Sequence, residues 1–473
     1  MEHVTITPRD PFRYSPLIGQ DRTDLFAVEA AREAVERLRG RSVINLNSTA
    51  AGGGVAEMLH VLLGLIRGAG VDARWMVIDG NPEFFEVTKR LHNHLYGTAG
   101  DGGELGEAEH RIYDTTLQPE RDALAAHARA GDVVVLHDPQ TAGLAEHAKQ
   151  LGCKVVWRCH VGLDEQNDFS RIGWEFLQPY LEPFVDHYVF SGRRFPPEWV
   201  SPERLSVIWP SIDPFAPKNQ DLDDATVEAI LTHVGLIAGT PGDTVFERTD
   251  GSPGRVELMC DVVRTGPPPG PDVPLVVQIS RWDSMKDMAG VMQAFAEYVD
   301  SGRTAQLVLA GPVVSAVADD PEGAQVLQDC WNQWRQLPHS VRCRIQLACL
   351  PMHDLEENAV IVNALQRHAY VVAQKSLAEG FGLTAAEAML KGTPVVASAV
   401  GGLVDQVIDG ESGLLVQDPT DLEEFGTAVC RILDDDEFRR RLGEGARARA
   451  VDTHLGDTHL RRWLDVVRAL PDD

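Results

Sequence analysis

The sequence predicts an α/β protein of two doubly wound, Rossmann-like domains. Three observations lead there. Short β-branched runs alternate with longer stretches of helical period. Most of the runs are continuously apolar, as in parallel strands covered by helices on both faces. The alternation occurs twice, on either side of a proline-containing segment, "WPSIDPFAPKN", at Trp209–Asn219.

In the first half the strand candidates are "SVINLN", "ARWMVI", "DVVVLHD", "KVVWRCH", "HYVFS" and "LSVIWP". In the second half they are "PLVVQIS", "AQLVLAG", "RIQLACL", "YVVAQKS", "TPVVAS" and "GLLVQ". Helical stretches such as "VAEMLHVLLGLIRGAG" and "TAAEAMLKG" lie between them. The expected domains are 1–212 and 213–454, with an irregular insertion at about 236–274 that suits a β-hairpin or a loop. The last helix, about 455–473, stays with the second domain or crosses back to the first. Two such domains facing each other give an interdomain cleft. Ligands of open α/β sheets bind outside the carboxyl ends of the strands, so the chemistry is expected in those loops.

The 473 residues carry a net charge of −28, from 71 acidic and 43 basic side chains. That balance opposes nonspecific binding to nucleic acid or anionic membrane, and it requires local cations wherever a phosphate binds. No apolar run reaches the ~18–20 residues of a membrane span. The N-terminus, "MEHVTITPRDPFRYSPL", lacks the pattern of a signal peptide. Seven scattered cysteines without a C-x-x-C pair read as buried thiols of a reducing cytoplasm. Arginine greatly outnumbers lysine, which draws attention to each lysine.

Four stretches carry candidate chemistry. "GGGVAEMLH" (Gly52–His60) places three glycines where a strand hands over to a helix, fitting an anion site or a tight turn. "KSLAEGFGLTAAEAMLKGTPVVASAVGG" puts Glu379 before a Gly-Phe-Gly turn and Glu387 one turn into a helix. The amides around Gly382, Leu383 and Thr384 suit a phosphate. Alternatively, T-A-A-E at Thr384–Glu387 is a capping box and Glu379 a solvated loop acid. In "QISRWDSMKD", Arg281 and Lys286 suit a diphosphate, or a surface ion pair with Asp283 or Asp287. "LHDPQ" and "WRCHVGLD" bring His137, Asp138, Arg158, His160 and Asp164 to strand ends, as a sugar site or as structural hydrogen-bonders. His92 and His94 of "LHNHL" read as surface or core, and no metal-ligand spacing recurs.

Arg281 with Lys286, and Glu379 with Glu387 in "EGFGLTAAE", resemble the signature of retaining GT-B glycosyltransferases of family GT4. "GTPVVASAVGG" and "DGESGLLV" extend the likeness. The glycine segment, "LHDPQTAGL" and "WRCHVGLD" are similar to the trehalose-forming glycosyltransferases within that family. The resemblance implies an acceptor-side first domain and a nucleotide-sugar-binding second domain. Arg281 and Lys286 would hold the donor diphosphate, Glu387 the ribose hydroxyls, and Glu379 would lie by the donor sugar. Gly382, Leu383 and Thr384 would give backbone contacts. Gly53 and Gly54 would approach the phosphate, and His160 the transferred sugar. Asp138 and Asp164 are candidates for acceptor hydroxyls.

The expected reaction is retaining transfer of glucose from ADP-glucose or UDP-glucose to glucose, forming trehalose. No cofactor is required, and a divalent metal is allowed but not implied. The expected partners are the nucleotide-glucose donor and a small sugar acceptor, without nucleic acid or membrane; a homodimer is left open. Four other readings stay open: a different small-molecule acceptor, a GT-B-shaped nucleotide-sugar epimerase, a glycogen-type phosphorylase carrying pyridoxal phosphate on a lysine, and a non-catalytic sugar-binding or sensor protein.

Overall fold

The computed structural model describes residues 1–50, 53–299, 302–314 and 321–471. The chain divides into two compact units, Met1–Ser211 with Thr453–Asp473, and Ile212–Asp452.

The first unit holds seven strands: β1 (Glu2–His3), β2 (Val43–Asn47), β3 (Ala73–Val77), β4 (Val133–His137), β5 (Lys154–Cys159), β6 (His187–Phe190) and β7 (Leu205–Val207). Their order is β1-β3-β2-β4-β5-β6-β7. All neighbours are parallel except β1 with β3, and Val43 lies between Ala73 and Val133 in register. β4, "VVVLH", is buried along its whole length, which explains its unbroken apolar run. Parallel pairing lines up the carboxyl ends of β2, β4, β5 and β6 at one edge. Asn47, His137, Cys159 and Phe190 end there.

The helix Gly53–Gly68 starts past that edge of β2. Gly52, the first of the three glycines, lies outside the described residues. The helix Gly456–Ala469 belongs to this unit. Its Asp457 accepts from Arg22 Nε at 2.6 Å, and its Val466 packs with Leu38, Val135, Val156 and Ile208.

In the second unit, β8 (Val245–Glu247) and β9 (Pro253–Arg255) form an antiparallel hairpin within the proline-rich stretch. β10 (Asp261–Val263) then joins the edge of the main sheet, antiparallel to β13. That sheet also contains β11 (Leu275–Ile279), β12 (Gln306–Pro312), β13 (Ile345–Leu350), β14 (Val371–Gln374), β15 (Val395–Ser398) and β16 (Leu414–Val416). The order is β10-β13-β12-β11-β14-β15-β16, parallel from β13 onward. β11 and β14 are adjacent at its centre, so the loops after them share the carboxyl edge. Val276, Leu307, Leu309, Ala373 and Val396 lie in the core beneath.

All twelve expected strands form. Of the four short strands outside those runs, β8 and β9 form the β-hairpin that the 236–274 insertion suits, whereas β1 and β10 are two or three residues long and lack an apolar run to mark them. His92 and His94 stand on the helix Pro82–Leu95 and not on a strand. Among the described residues no disulfide forms, and no helix is long and apolar enough to cross a membrane.

Candidate active site

In the first unit, the carboxyl edge carries a cluster of uncharged hydrogen-bonding groups around one guanidinium. Asp138 follows β4 with φ 59°, a left-handed conformation rare for a non-glycine residue. Its Oδ1 accepts the His160 backbone N–H at 2.7 Å, and its carbonyl accepts from Trp157 Nε1 at 3.1 Å. These bonds hold the strained turn. Arg158, on β5, is fully buried. Its Nε donates to His160 Nε2 at 3.1 Å and its Nη2 to the Ile208 carbonyl at 3.1 Å. Nη1 has no hydrogen-bond partner among the described residues, and the Trp463 ring centre lies 5.6 Å from the guanidinium carbon.

Because Arg158 donates to Nε2, His160 carries its proton on Nδ1, next to Ser191 Oγ at 3.2 Å. The His137 ring stacks on His160 with centroids 5.7 Å apart, and its Nε2 meets Asn45 Oδ1 at 3.0 Å.

Burial and the Arg158 charge keep these imidazoles neutral. His137 is pulled down to about 3, and His160 and His459 fall well below the ordinary range. Burial pushes Asp138 the other way, up to about 7, against the pull of the His160 N–H and Arg158. Arg158 itself is brought down to about 9 by burial, with Asp138 opposing. Asp164 stands in the loop after β5 and is partly exposed.

The second unit presents paired charges. Glu379, after β14, is 9% exposed at its side chain, so it is not a solvated loop acid. Its Oε2 accepts from Lys286 Nζ at 2.7 Å, Gln374 Nε2 at 3.0 Å and Ser376 Oγ at 3.1 Å. Arg281, in contrast, has a 60% exposed side chain and pairs with Asp283 at 3.2 Å. The surface ion pair describes Arg281 in this state, whereas Lys286 is held in the site.

Gly382 caps the helix Leu383–Leu390 with φ 85°. Leu383 and Thr384 head that helix, where the first amides have no intrahelical acceptor. The following turn sits tightly on this loop: a Cβ on Gly401 would fall 1.7 Å from the Glu379 carbonyl oxygen. The capping-box expectation for Thr384 and Glu387 fails. The cap position is Gly382, no side chain caps the helix, and Thr384 is already inside it. Glu387 instead points its carboxylate at Lys218, 3.6 Å away, from the segment read as linker. Lys391 bonds the Glu387 carbonyl at 3.1 Å and Asn219 Oδ1 at 2.9 Å, and burial draws its ammonium down to about 7 against the Glu387 charge.

Several groups were not foreseen as site residues: Lys218, Gln278, Gln374, Lys375, Ser376 and Lys391 in the second unit, and Asn45, Ser191 and His459 in the first. The signal for the lysines was present. The chain has few, and all four of the second unit (Lys218, Lys286, Lys375 and Lys391) belong to this network. Among the described residues no group of three His, Cys, Asp or Glu side chains is arranged to hold a metal ion.

Residues 45–197 match the family described as "Trehalose synthase, N-terminal domain", and residues 265–449 match "Glycosyl transferases group 1". The chain is 33% identical to a trehalose synthase of Pyrococcus horikoshii, over 97% of this chain and 95% of that protein. It is 25% identical to a trehalose phosphorylase of Pleurotus sajor-caju, over 88% of this chain and 56% of that protein. A solved structure, "Trehalose-6-phosphate from E. coli bound with UDP-2-fluoro glucose", superposes with a TM-score of 0.66 at 13% identity, covering 91% of this chain and 100% of that one. That likeness concerns the fold. Together with the full-length relatives, it leads to one assignment: the chain belongs to the trehalose synthase family of GT-B glycosyltransferases.

Proposed function

We propose that this protein transfers glucose from a nucleotide-glucose donor to glucose, with retention at the anomeric carbon, and releases trehalose and a nucleoside diphosphate. The observation that carries the reading is the Lys286–Glu379 pair, 2.7 Å apart, beside a helix opened by Gly382. A compact cation and a helix N-terminus are what a departing diphosphate needs. In a chain of net charge −28 they supply positive potential locally. Glu387 takes the ribose hydroxyls, and Arg281 adds a second cation once it leaves Asp283.

The first unit reads sugar. Neutral His160 meets the transferred glucose without attracting the diphosphate, its Nδ1–H exchanging Ser191 Oγ for a sugar hydroxyl. Asp138, with one oxygen used by the His160 amide, keeps the other for an acceptor hydroxyl; Asp164 is a second acceptor contact. Gly53 and Gly54 open the helix after β2 without side chains that would keep a phosphate away. In the transition state the C1–oxygen bond to the diphosphate breaks as the anomeric hydroxyl of the acceptor attacks from the same face. The acceptor's proton passes to the departing phosphate oxygen. Stabilising that leaving group and orienting the acceptor are then the enzyme's two tasks.

The trehalose phosphorylase likeness favours one second reading, in which inorganic phosphate cleaves trehalose. The experiment that separates them is release of ADP or UDP from ADP-glucose or UDP-glucose, with and without glucose, alongside trehalose incubated with phosphate. The proposal expects glucose-dependent nucleoside diphosphate release. Glucose 1-phosphate formed from trehalose and phosphate, with no nucleotide-sugar turnover, would establish phosphorolysis instead.

A further inference from the structure

Of the four lysines in the second unit, Lys375 is the one that bonds neither Glu379 nor Glu387. Its side chain is completely buried. It bonds the Asp287 carboxylate, and its Nζ also donates to the Pro419 carbonyl at 2.7 Å. We propose that Lys375 is a positioning residue for Lys286: it fixes the turn at Asp287 and cancels that carboxylate's charge, so that the Lys286 ammonium stands where the donor diphosphate leaves. This rests on the reading of Lys286 given above.

Asp287 directly follows Lys286 and has φ 46° and ψ 45°, a left-handed conformation that only surrounding bonds can maintain. Its Oδ1 accepts the Gly290 amide at 3.0 Å and caps the helix Met288–Tyr298. Its Oδ2 is the atom bonded by Lys375. The two loops are tied twice more. Gln278 Nε2 donates to the Lys286 carbonyl at 2.6 Å while its Oε1 accepts the Lys375 amide at 3.1 Å. The Leu377 amide donates to the Met285 carbonyl at 2.8 Å. Three ties therefore lock residues 285–287 to residues 375–377.

Without the Lys375 charge, an unpaired, partly buried carboxylate would stand one residue from the diphosphate cation. It would compete for the Lys286 ammonium and repel the donor. A lysine suits this place because its compact ammonium serves two acceptors at a fully buried point, where the broad arginine fork needs more room.

The test uses the full chain carrying Lys375→Met, and Lys375→Met combined with Asp287→Asn. Asparagine still caps a helix and tolerates the left-handed turn, so the double variant has no unpaired buried charge. Turnover at saturating nucleotide-glucose and glucose, affinity for ADP and UDP, and Tm are measured for each. Lys375→Met should lower both Tm and kcat. The double variant should regain most of the Tm and the part of kcat lost to the uncompensated carboxylate, yet keep a kcat about tenfold below the native protein, because the Lys375 tie between the two loops is still missing. Its ADP and UDP affinities should change far less than kcat. If kcat returns together with Tm, Lys375 only stabilises the fold and the proposal is overturned. Unchanged kcat in Lys375→Met overturns it as well. Full turnover in Lys286→Ala would instead remove the reading of Lys286 on which it rests.

Discussion

In the first unit, Arg158 bonds His160, which links on to Ser191 and His137 and through His137 to Asn45, and among the described residues no carboxylate forms a salt bridge with that guanidinium. In the second unit, lysines are matched to carboxylates: Lys286 to Glu379, Lys375 to Asp287, Lys218 to Glu387. Both clusters stand at the carboxyl edge of a seven-stranded sheet with a mostly parallel core. On the proposed reading, the same architecture carries two kinds of recognition. Neutral hydrogen-bonding groups suit sugar hydroxyls, which have no charge to neutralise. A Lys286 charge held in reserve by Glu379 suits a diphosphate, whose charge rises as it leaves, while Lys375 stays locked to Asp287.

The comparison breaks most visibly if the charged cluster is not the catalytic one. Lys286→Ala should lower kcat by roughly a hundred- to a thousandfold, the usual effect of losing one contact to developing charge. Arg281→Ala should cost less, because its side chain is 60% exposed and already paired. Steady-state kinetics on both variants, with folding checked by circular dichroism, decides. An Arg281→Ala defect larger than that of Lys286→Ala would reverse their ranking.

A smaller effect sharpens the nucleotide side. Glu387→Gln should weaken ADP or UDP binding about tenfold, or ~1.4 kcal/mol, with little change in Tm. Calorimetric titration measures it. Unchanged affinity would leave Glu387 as a structural partner of Lys218 and Lys391.

On the sugar side, pH is the sharper probe. If Asp138, raised to about 7 by burial, holds the acceptor hydroxyl as a carboxylate, kcat/KM should climb as pH rises through about 7. Asp138→Asn should flatten that limb; a limb that persists in the variant belongs to another group.

The smallest expected effect is on stability. His137 titrates near 3 in the folded chain, and His160 and His459 are also depressed, whereas unfolded imidazoles take up protons at about 6.5. Their contribution is complete above about pH 6.5 and is lost as pH falls from there toward about 3. Asp138 acts oppositely between about 4 and 7, but one group offsets only one of three. Tm should therefore drop from about pH 7 to about pH 5, and His137→Asn should reduce the drop. An equal drop in the variant would place the proton uptake elsewhere.

Much of this was legible in the residues. Runs such as "VVVLH" and "LVVQI" announce parallel strands because burial on both faces leaves no polar alternation. Glu379 and Lys286 stand out through the family resemblance, since the residues alone fit a loop acid and a surface ion pair as well. Other features stayed hidden for physical reasons. T-A-A-E has the spacing of a capping box, but Gly382 takes the cap position with a positive φ and moves Thr384 into the helix. Lys218 and Glu387 are far apart in the chain, and only the fold brings them to 3.6 Å. Arg158 appears in the sequence as one more polar strand end; that it is wholly buried and sets the proton position of His160 depends on β5 lying beside β6 and under Trp463.

The central claim is that glucose is both transferred and accepted, with retention. Proton NMR of the product formed from ADP-glucose or UDP-glucose and glucose tests it directly. A single α-anomeric resonance with no reducing-end signals is expected, because the two halves of α,α-trehalose are equivalent. A β-anomeric resonance, or a product with a free reducing end, would contradict it.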